Sequence, residues 1–238
     1  MLNLSFKGRS MQSDHHIEVS YVRITYPFPE DVYGLYLKKL PEELKAKNQR
    51  FVRWEDRHAH LMGKILLLAN SIKLGTGGNV LDDLKYNAYG KPLLDYLTFN
   101  ISHSGEFVVC ACTTSNIRLG IDIERKKPAP FSDFADTMND EQWEEINRDP
   151  NRALDLFYRN WTIKESVIKA IGQGLSFPLK DITILNNTAW VKGSVVPWHI
   201  KEFFLDTGYA AAIVTDANDA ARSITLKEFK FDSMLDLR

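Results

Sequence analysis

Gly120-Ile121-Asp122-Ile123-Glu124 and Trp161-Thr162-Ile163-Lys164-Glu165-Ser166-Val167-Ile168-Lys169 are the stretch and counter-stretch on which the reading of this chain turns. On a strand, Asp122 and Glu124 point to one face while Ile121 and Ile123 point to the other. Two adjacent carboxylates repel unless they are solvated or share a cation, so the segment is either the polar face of a half-buried strand or half of a hard-cation site. On a helix, Trp161, Glu165 and Lys169 share one face, and Ile163, Val167, Ile168 and Ile171 supply a separate apolar stripe. As a surface pair, Glu165 and Lys169 would contribute only about 0.3–0.5 kcal/mol. A tryptophan stacked above them is unusual on a solvated face. Glu165 completes a three-carboxylate site with the strand pair, and Lys169 then neutralises a phosphate on the same ion.

Outward from this pair, Asn100-Ile101-Ser102-His103-Ser104-Gly105 breaks an otherwise apolar run, which is costly unless the polar groups find partners. Neighbours on an extended segment face opposite ways, so activation of Ser102 by His103 is disfavoured and anion binding by the two fits better. Lys91, in the turn Gly90-Lys91-Pro92, adds another cation. Gly75-Thr76-Gly77-Gly78 has no Gly-Lys-Ser/Thr after it and reads as a helix stop rather than a phosphate loop.

The periodicities predict strands at 17–26 and 117–124, helices opening at Pro41-Glu42-Glu43 and spanning about 51–73, 140–147 and 155–171, and strands at 181–185, 198–205, 209–215 and 222–231. Both long helices start with aromatic and arginine residues and end in glycine turns, a faint internal echo that two similar α+β halves meeting near residue 118 would explain. Residues 1–14 are polar and aperiodic and are expected to be a flexible leader. Of the 238 residues, 44% are hydrophobic and 26% charged, ordinary for a globular protein. No apolar run approaches the ~20 residues of a membrane span, and the N-terminus lacks the apolar core of a signal peptide. A net charge of −1 argues against nucleic-acid binding through bulk electrostatics. Cys110 and Cys112 read as reduced packing residues, which points to the cytoplasm.

Taken in order, Gly-Lys-Pro, Phe-Asn-Ile-Ser-His-Ser, Gly-Ile-Asp-Ile-Glu and Trp-x-x-Lys-Glu-Ser-x-x-Lys-x-x-Gly-x-Gly-Leu resemble the surfactin-synthetase type of 4′-phosphopantetheinyl transferase, over about Arg50 to Ile184. The resemblance implies an α+β fold of two subdomains related by a pseudo-twofold axis, each a small, mainly antiparallel sheet with a long helix, here 15–118 and 119–238, with coenzyme A in the cleft between them. It implies Asp122, Glu124 and Glu165 as ligands of Mg²⁺, with Mn²⁺ the alternative. It implies Lys169, His103 and Ser102 as diphosphate contacts and Lys91 as the lysine of the Gly-Lys-Pro turn. Lys47, with Lys45 nearby, best matches the basic residues the family uses for the 3′-phosphate. After Glu55-Asp56 this chain departs from the pattern: it has Arg57-His58-Ala59-His60, so that Arg57 or His60 would substitute at the nucleoside end.

The implied reaction is attack of a carrier-protein serine on coenzyme A with release of 3′,5′-ADP. Asp122, Glu165 and Lys169 form the catalytic group, and Glu165, directly or through water, is the base. The partner is an apo acyl, peptidyl or aryl carrier protein of fatty-acid, polyketide or peptide synthesis, docking at the loop from Lys126 to Phe131. One chain supplies both sides of the cleft, so a monomer is expected. A non-catalytic binding module and a magnesium-dependent phosphohydrolase are the readings from other classes; retention of all three carboxylates favours an enzyme over the first.

Overall fold

The computed structural model describes residues 15–230 apart from 129, 175–176 and 219. The expected leader at 1–14, the end of the strand expected at 222–231, and Leu175 of the last motif lie outside the described residues.

The chain is α+β and builds two sheets, each with one long helix. In the first sheet the strand order is β11-β1-β5-β4, formed by Ile224–Glu228, Ile17–Arg23, Phe107–Thr113 and Thr98–Ser104. In the second it is β6-β10-β9-β8-β7, formed by Leu119–Arg125, Tyr209–Thr215, Trp198–Glu202, Thr188–Val191 and Ile182–Leu185. A two-stranded ribbon, β2 (Lys85–Tyr86) with β3 (Pro92–Leu93), carries the Gly90-Lys91 turn. Among the described residues all pairings are antiparallel except β1 with β11.

The α-helices among the described residues are α1 (Glu30–Leu37), α2 (Glu42–Gln49), α3 (Trp54–Lys73), α4 (Asp140–Arg148) and α5 (Ala153–Ile171). Their ends follow from sequence. Pro41 precedes α2 with acids in its first turn, and Asn139 and Gln142 form a capping box on α4. Gly172, at φ 83°, closes α5 in the left-handed conformation glycine adopts without penalty. Helix α1 is absent from the periodicity reading. Its sequence, with Gly34 and β-branched Val32, has weak intrinsic preference, and it is held by burying Tyr36 in the first core.

α3 covers one face of the first sheet with Leu61, Ile65 and Leu68 against Val108, Cys110 and Cys112. α5 covers the second sheet through Ile163, Val167 and Ala212. The opposite faces of the two sheets share a third cluster, in which Val19, Val109, Ile121, Ile123 and Ile213 meet. Strand alternation therefore sends Ile121 and Ile123 into the shared core and Asp122 and Glu124 toward α5. β11 is parallel to β1, so after the second sheet the chain returns to the first.

Candidate functional site

Between the two sheets, edge strand β4 runs beside edge strand β6, and the seam is closed by side chains instead of a backbone ladder. Asn100 Oδ1 accepts from the Ile121 amide at 3.0 Å, and Ser104 Oγ accepts from the Arg125 amide at 3.0 Å. The polar residues that interrupt β4 satisfy the unpaired edge of β6, which is the partner their burial demands.

The same seam assembles the charged centre. Ser102 Oγ donates to Asp122 Oδ1 at 2.7 Å, and Lys169 Nζ donates to that oxygen at 2.6 Å and to Ser102 Oγ at 2.8 Å. Ser104 Oγ donates to Glu124 Oε2 at 2.9 Å. Asp122 is buried, and its second oxygen, Oδ2, has no hydrogen-bond partner among the described residues. Burial and the neighbouring Asp122 carboxylate push the Glu124 carboxyl up, against the pull of hydrogen bonds from Ser104 and Trp161. Glu165 is pushed up to about 7 by burial and by Asp122, with Lys169 opposing. The centre thus holds more carboxylate than its one lysine neutralises.

Gly120 permits this closeness. A Cβ there would stand 1.9 Å from the Ser166 carbonyl oxygen, so only glycine lets α5 lie directly on β6. At the other end, Tyr209 Oη accepts from the Glu106 amide at 3.0 Å, tying the β4–β5 turn to β10.

Two cavities adjoin the centre. One, of about 290 Å³, lies between the Gly90-Lys91 turn and the C-terminal half of α5 and includes Lys91, Glu165 and Lys169 in its wall. Burial brings the Lys91 amine down to about 8, and its Nζ donates to the Ala170 carbonyl at 3.1 Å. The second, also about 290 Å³, lies between α2, α3 and β4 and is walled by Lys47, His60, Lys64 and His103. Asn100, Ile101, Gly90 and Pro92 border both, so the two are compartments of one cleft. Loss of water and the Lys169 charge push the His103 ring below its ordinary value.

Of the residues singled out from sequence, Asp122, Ser102 and Lys169 are in direct contact, and Lys91 and Glu165 line the compartment beside them. Lys47 lies across the second compartment with its ammonium 5.9 Å from the centre of the Tyr86 ring. Lys45 is instead paired with Glu42 at 2.7 Å. At the Arg57-His60 departure, Arg57 turns to the Phe51 carbonyl at 3.0 Å, whereas His60 faces the compartment. His58 is a packing residue: Nε2 accepts from the Phe28 amide and Nδ1 donates to the Trp54 carbonyl. Sequence reasoning missed Lys64 and Asn48, and marked Ser104 as a costly polar interruption without giving it a partner; the Ser-x-Ser spacing of 102 and 104 matches the Asp-x-Glu spacing of β6.

The donor chemistry fits a hard divalent cation. Three carboxylates lie near one another; burial first and the neighbouring Asp122 charge second push two of them up, and Asp122 presents a buried oxygen without a partner among the described residues. As placed, no three His, Cys, Asp or Glu side chains among the described residues are gathered tightly enough to hold an ion, and Asp122 is paired with Lys169 at 2.6 Å.

Two family profiles match in succession: "4′-phosphopantetheinyl transferase, N-terminal" over residues 27–115 and "4′-phosphopantetheinyl transferase superfamily" over residues 118–214. The 4′-phosphopantetheinyl transferase Sfp of Bacillus subtilis (strain 168) is 30% identical over 226 residues, covering 84% of this chain and 98% of the relative. The 4′-phosphopantetheinyl transferase gsp of Aneurinibacillus migulanus is 32% identical over 173 residues, 72% of each. The human L-aminoadipate-semialdehyde dehydrogenase-phosphopantetheinyl transferase is 34% identical over 176 residues, 64% of this chain and 56% of the relative. With two sheets joined at a seam of carboxylates, serines and lysine, and with relatives of this kind along most of its length, the chain belongs to the 4′-phosphopantetheinyl transferase superfamily.

Proposed function

We propose that Asp122, Glu124, Glu165 and Lys169 carry the transfer of the 4′-phosphopantetheine arm of coenzyme A to a serine of an apo carrier protein. The observation behind this is the buried Asp122, with Lys169 and Ser102 on one oxygen and no partner among the described residues on the other, beside a Glu165 that burial and Asp122 push up to about 7. The serine oxygen bonds to the phosphorus that bears pantetheine, and the bond from that phosphorus to the 5′-phosphate oxygen breaks. The products are the phosphopantetheinyl serine and 3′,5′-ADP. Such reactions need positioning and charge stabilisation more than covalent help.

Asp122, Glu124 and Glu165 would hold Mg²⁺, or Mn²⁺, which supplies Lewis-acid neutralisation of the diphosphate. Lys169 is only part-buried, and its ammonium is available to the leaving phosphate. His103 and Ser102 stand on the β4 side of the same group, and Lys91 lines the compartment leading away from it. Glu165 accepts the serine proton, directly or through water; ligation to a metal would weaken it as a base.

The partner is an acyl, peptidyl or aryl carrier protein, and the loop from Lys126 to Phe131 is its docking site. Support for that loop comes from its position directly after β6 and from its anchoring: Lys126 pairs with Asp155 at 2.7 Å, and Tyr158 donates to the Lys127 carbonyl. Both walls of the cleft come from one chain, which supports a monomer. The free thiols of Cys110 and Cys112 support a reducing, cytoplasmic setting. No helix among the described residues is long and apolar enough to cross a membrane.

Changing Asp122→Ala together with Glu165→Gln is expected to abolish labelling of an apo carrier protein from fluorescent coenzyme A in magnesium. Labelling at the wild-type rate would remove the carboxylates from the reaction. Omitting the acceptor separates transfer from hydrolysis: a phosphohydrolase would release 3′,5′-ADP without it.

A further inference from the structure

The geometry points to Asn87 as a positioning residue for coenzyme A binding: it clamps the Gly90-Lys91 turn onto the end of α5 and so holds Lys91 opposite the Glu165–Lys169 face. This rests on the reading that the cleft binds coenzyme A.

The turn lies in the first half of the chain and α5 in the second, and each supplies one side of the compartment that holds Lys91, Glu165 and Lys169. The two sides meet closely. A Cβ on Gly172 would stand 2.8 Å from Lys91 Cδ and 3.3 Å from Asn87 Nδ2, so glycine at the helix end admits the turn as well as closing the helix. A helix leaves its last carbonyls without donors of its own. Here the turn supplies two: Lys91 Nζ donates to the Ala170 carbonyl at 3.1 Å, and Asn87 Nδ2 donates to the Gly172 carbonyl at 2.8 Å.

Asn87 joins two tasks in one side chain. Its Oδ1 accepts from the Tyr89 and Lys91 amides, both at 2.9 Å, while its backbone amide donates to the Lys91 carbonyl at 3.0 Å. The side chain thus shapes the turn it stands in. The amide group has one orientation only. Turned over, its NH2 would face two N–H donors and its oxygen would face the Gly172 carbonyl. One end of the side chain therefore fixes the backbone of Lys91, and the other fixes that backbone to α5.

The consequence falls on Lys91. Its aliphatic stem lies against Gly172, and its ammonium is held in the compartment wall. On a turn free of α5 the same side chain would sample many positions, and a ligand would have to order it. Ordered in advance, it binds an anion at a lower entropic cost. Its bond to a neutral carbonyl is also weaker than the charge-assisted bond an anionic oxygen offers, so a phosphate can take that ammonium over. A residue that served only to cap α5 would instead change stability without singling out one substrate.

The test compares the full chain as wild type, Asn87→Ala, Asn87→Asp, Lys91→Ala and the double variant of Asn87→Ala with Lys91→Ala. Coenzyme A is titrated calorimetrically in magnesium, and steady-state transfer is measured to one apo carrier protein. Asn87→Asp keeps both acceptors of the turn and loses the donor to Gly172, so it opens the clamp with the turn intact. Asn87→Ala loses both, and if it does not fold, Asn87→Asp carries the comparison. In each, Kd and KM for coenzyme A should rise about threefold to tenfold, with KM for the carrier protein within about twofold of wild type. In the Lys91→Ala background, Asn87→Ala should lose most of its effect, because the ammonium it positions is gone. Folded Asn87 variants with wild-type affinity for coenzyme A, losses shared equally by both substrates, or Asn87→Ala and Lys91→Ala effects that simply multiply overturn the inference. Wild type that binds no coenzyme A would instead overturn the reading of the cleft on which it rests.

Discussion

Protonating His60 would force Asn48 to give up its bonds to Tyr33 and the Arg57 carbonyl, because the only acceptor left on the ring faces the Asn48 amide. Burial first, then the nearby Lys64, push the ring from 6.5 to about 4. The consequence for stability has a definite sign. Between those two values the unfolded chain binds a proton that the folded chain refuses, so stability falls as the pH drops through that window. His58, also pushed down by burial, acts in the same direction. The thermal midpoint is therefore expected to decline from pH 6.5 toward 4, and His60→Gln should decline less steeply; a variant as acid-sensitive as wild type would mean that the ring is already charged in the fold. At this scale the sequence was legible where chemistry follows spacing. Asp122 with Glu124, and Glu165 with Lys169, can be placed from the periods of a strand and a helix alone. Lys64 and Asn48 could not, and His60 only as an alternative to Arg57, since they meet only after α2 and α3 converge and nothing in their local spacing marks them.

Elements show the same division for a different reason. β4 was legible as an anomaly: Asn100, Ser102 and Ser104 cost too much in an apolar strand unless something needs them, and that something is the unpaired edge and carboxylates of β6. β8 was not read from the sequence, being four residues joined to β7 by a tight turn with Asn186 at φ 54°, too short for alternation to register. The contact between β6 and α5 is the element-scale feature with the sharpest consequence. With the Ser166 carbonyl 1.9 Å from where a Gly120 Cβ would stand, Gly120→Ala must push the helix off the strand. That movement separates Lys169 from Asp122, which now lie 2.6 Å apart. Gly120→Ala should cost about 1–3 kcal/mol in urea unfolding, as overpacking does, and lose most of its transfer activity. Full activity at unchanged stability would show that α5 can be displaced without harm to the site.

At the scale of the whole molecule, the return of β11 to β1 bears on the proposed division into 15–118 and 119–238. Each part has its own sheet and long helix, and the two family profiles meet between residues 115 and 118. Yet the first sheet is not completed by the first part. β1 is flanked by β5 on one side and by Ile224–Glu228 on the other, and the Phe229 amide donates to the Tyr21 carbonyl at 2.7 Å. The Phe229 side chain is buried in the first core, 6.5 Å from the Tyr36 ring. The shared cluster of Val19, Val109, Ile121 and Ile123 would also be laid open by cutting the chain at 118. A fragment of residues 15–118 would then expose the edge of β1, the face of β5 and the space that Phe229 fills. Loss of a buried phenylalanine side chain alone costs about 3–5 kcal/mol, a large share of the roughly 5–15 kcal/mol that stabilises a whole domain. The fragment is therefore expected to show no cooperative thermal transition by circular dichroism. In the intact chain, Phe229→Ala should lower stability by about 3 kcal/mol or more in a single transition that both halves share. A cooperative melt of the isolated fragment, or two separate transitions in the Phe229→Ala protein, would show that the halves fold as independent units and that the C-terminal strand is an accessory to the first sheet.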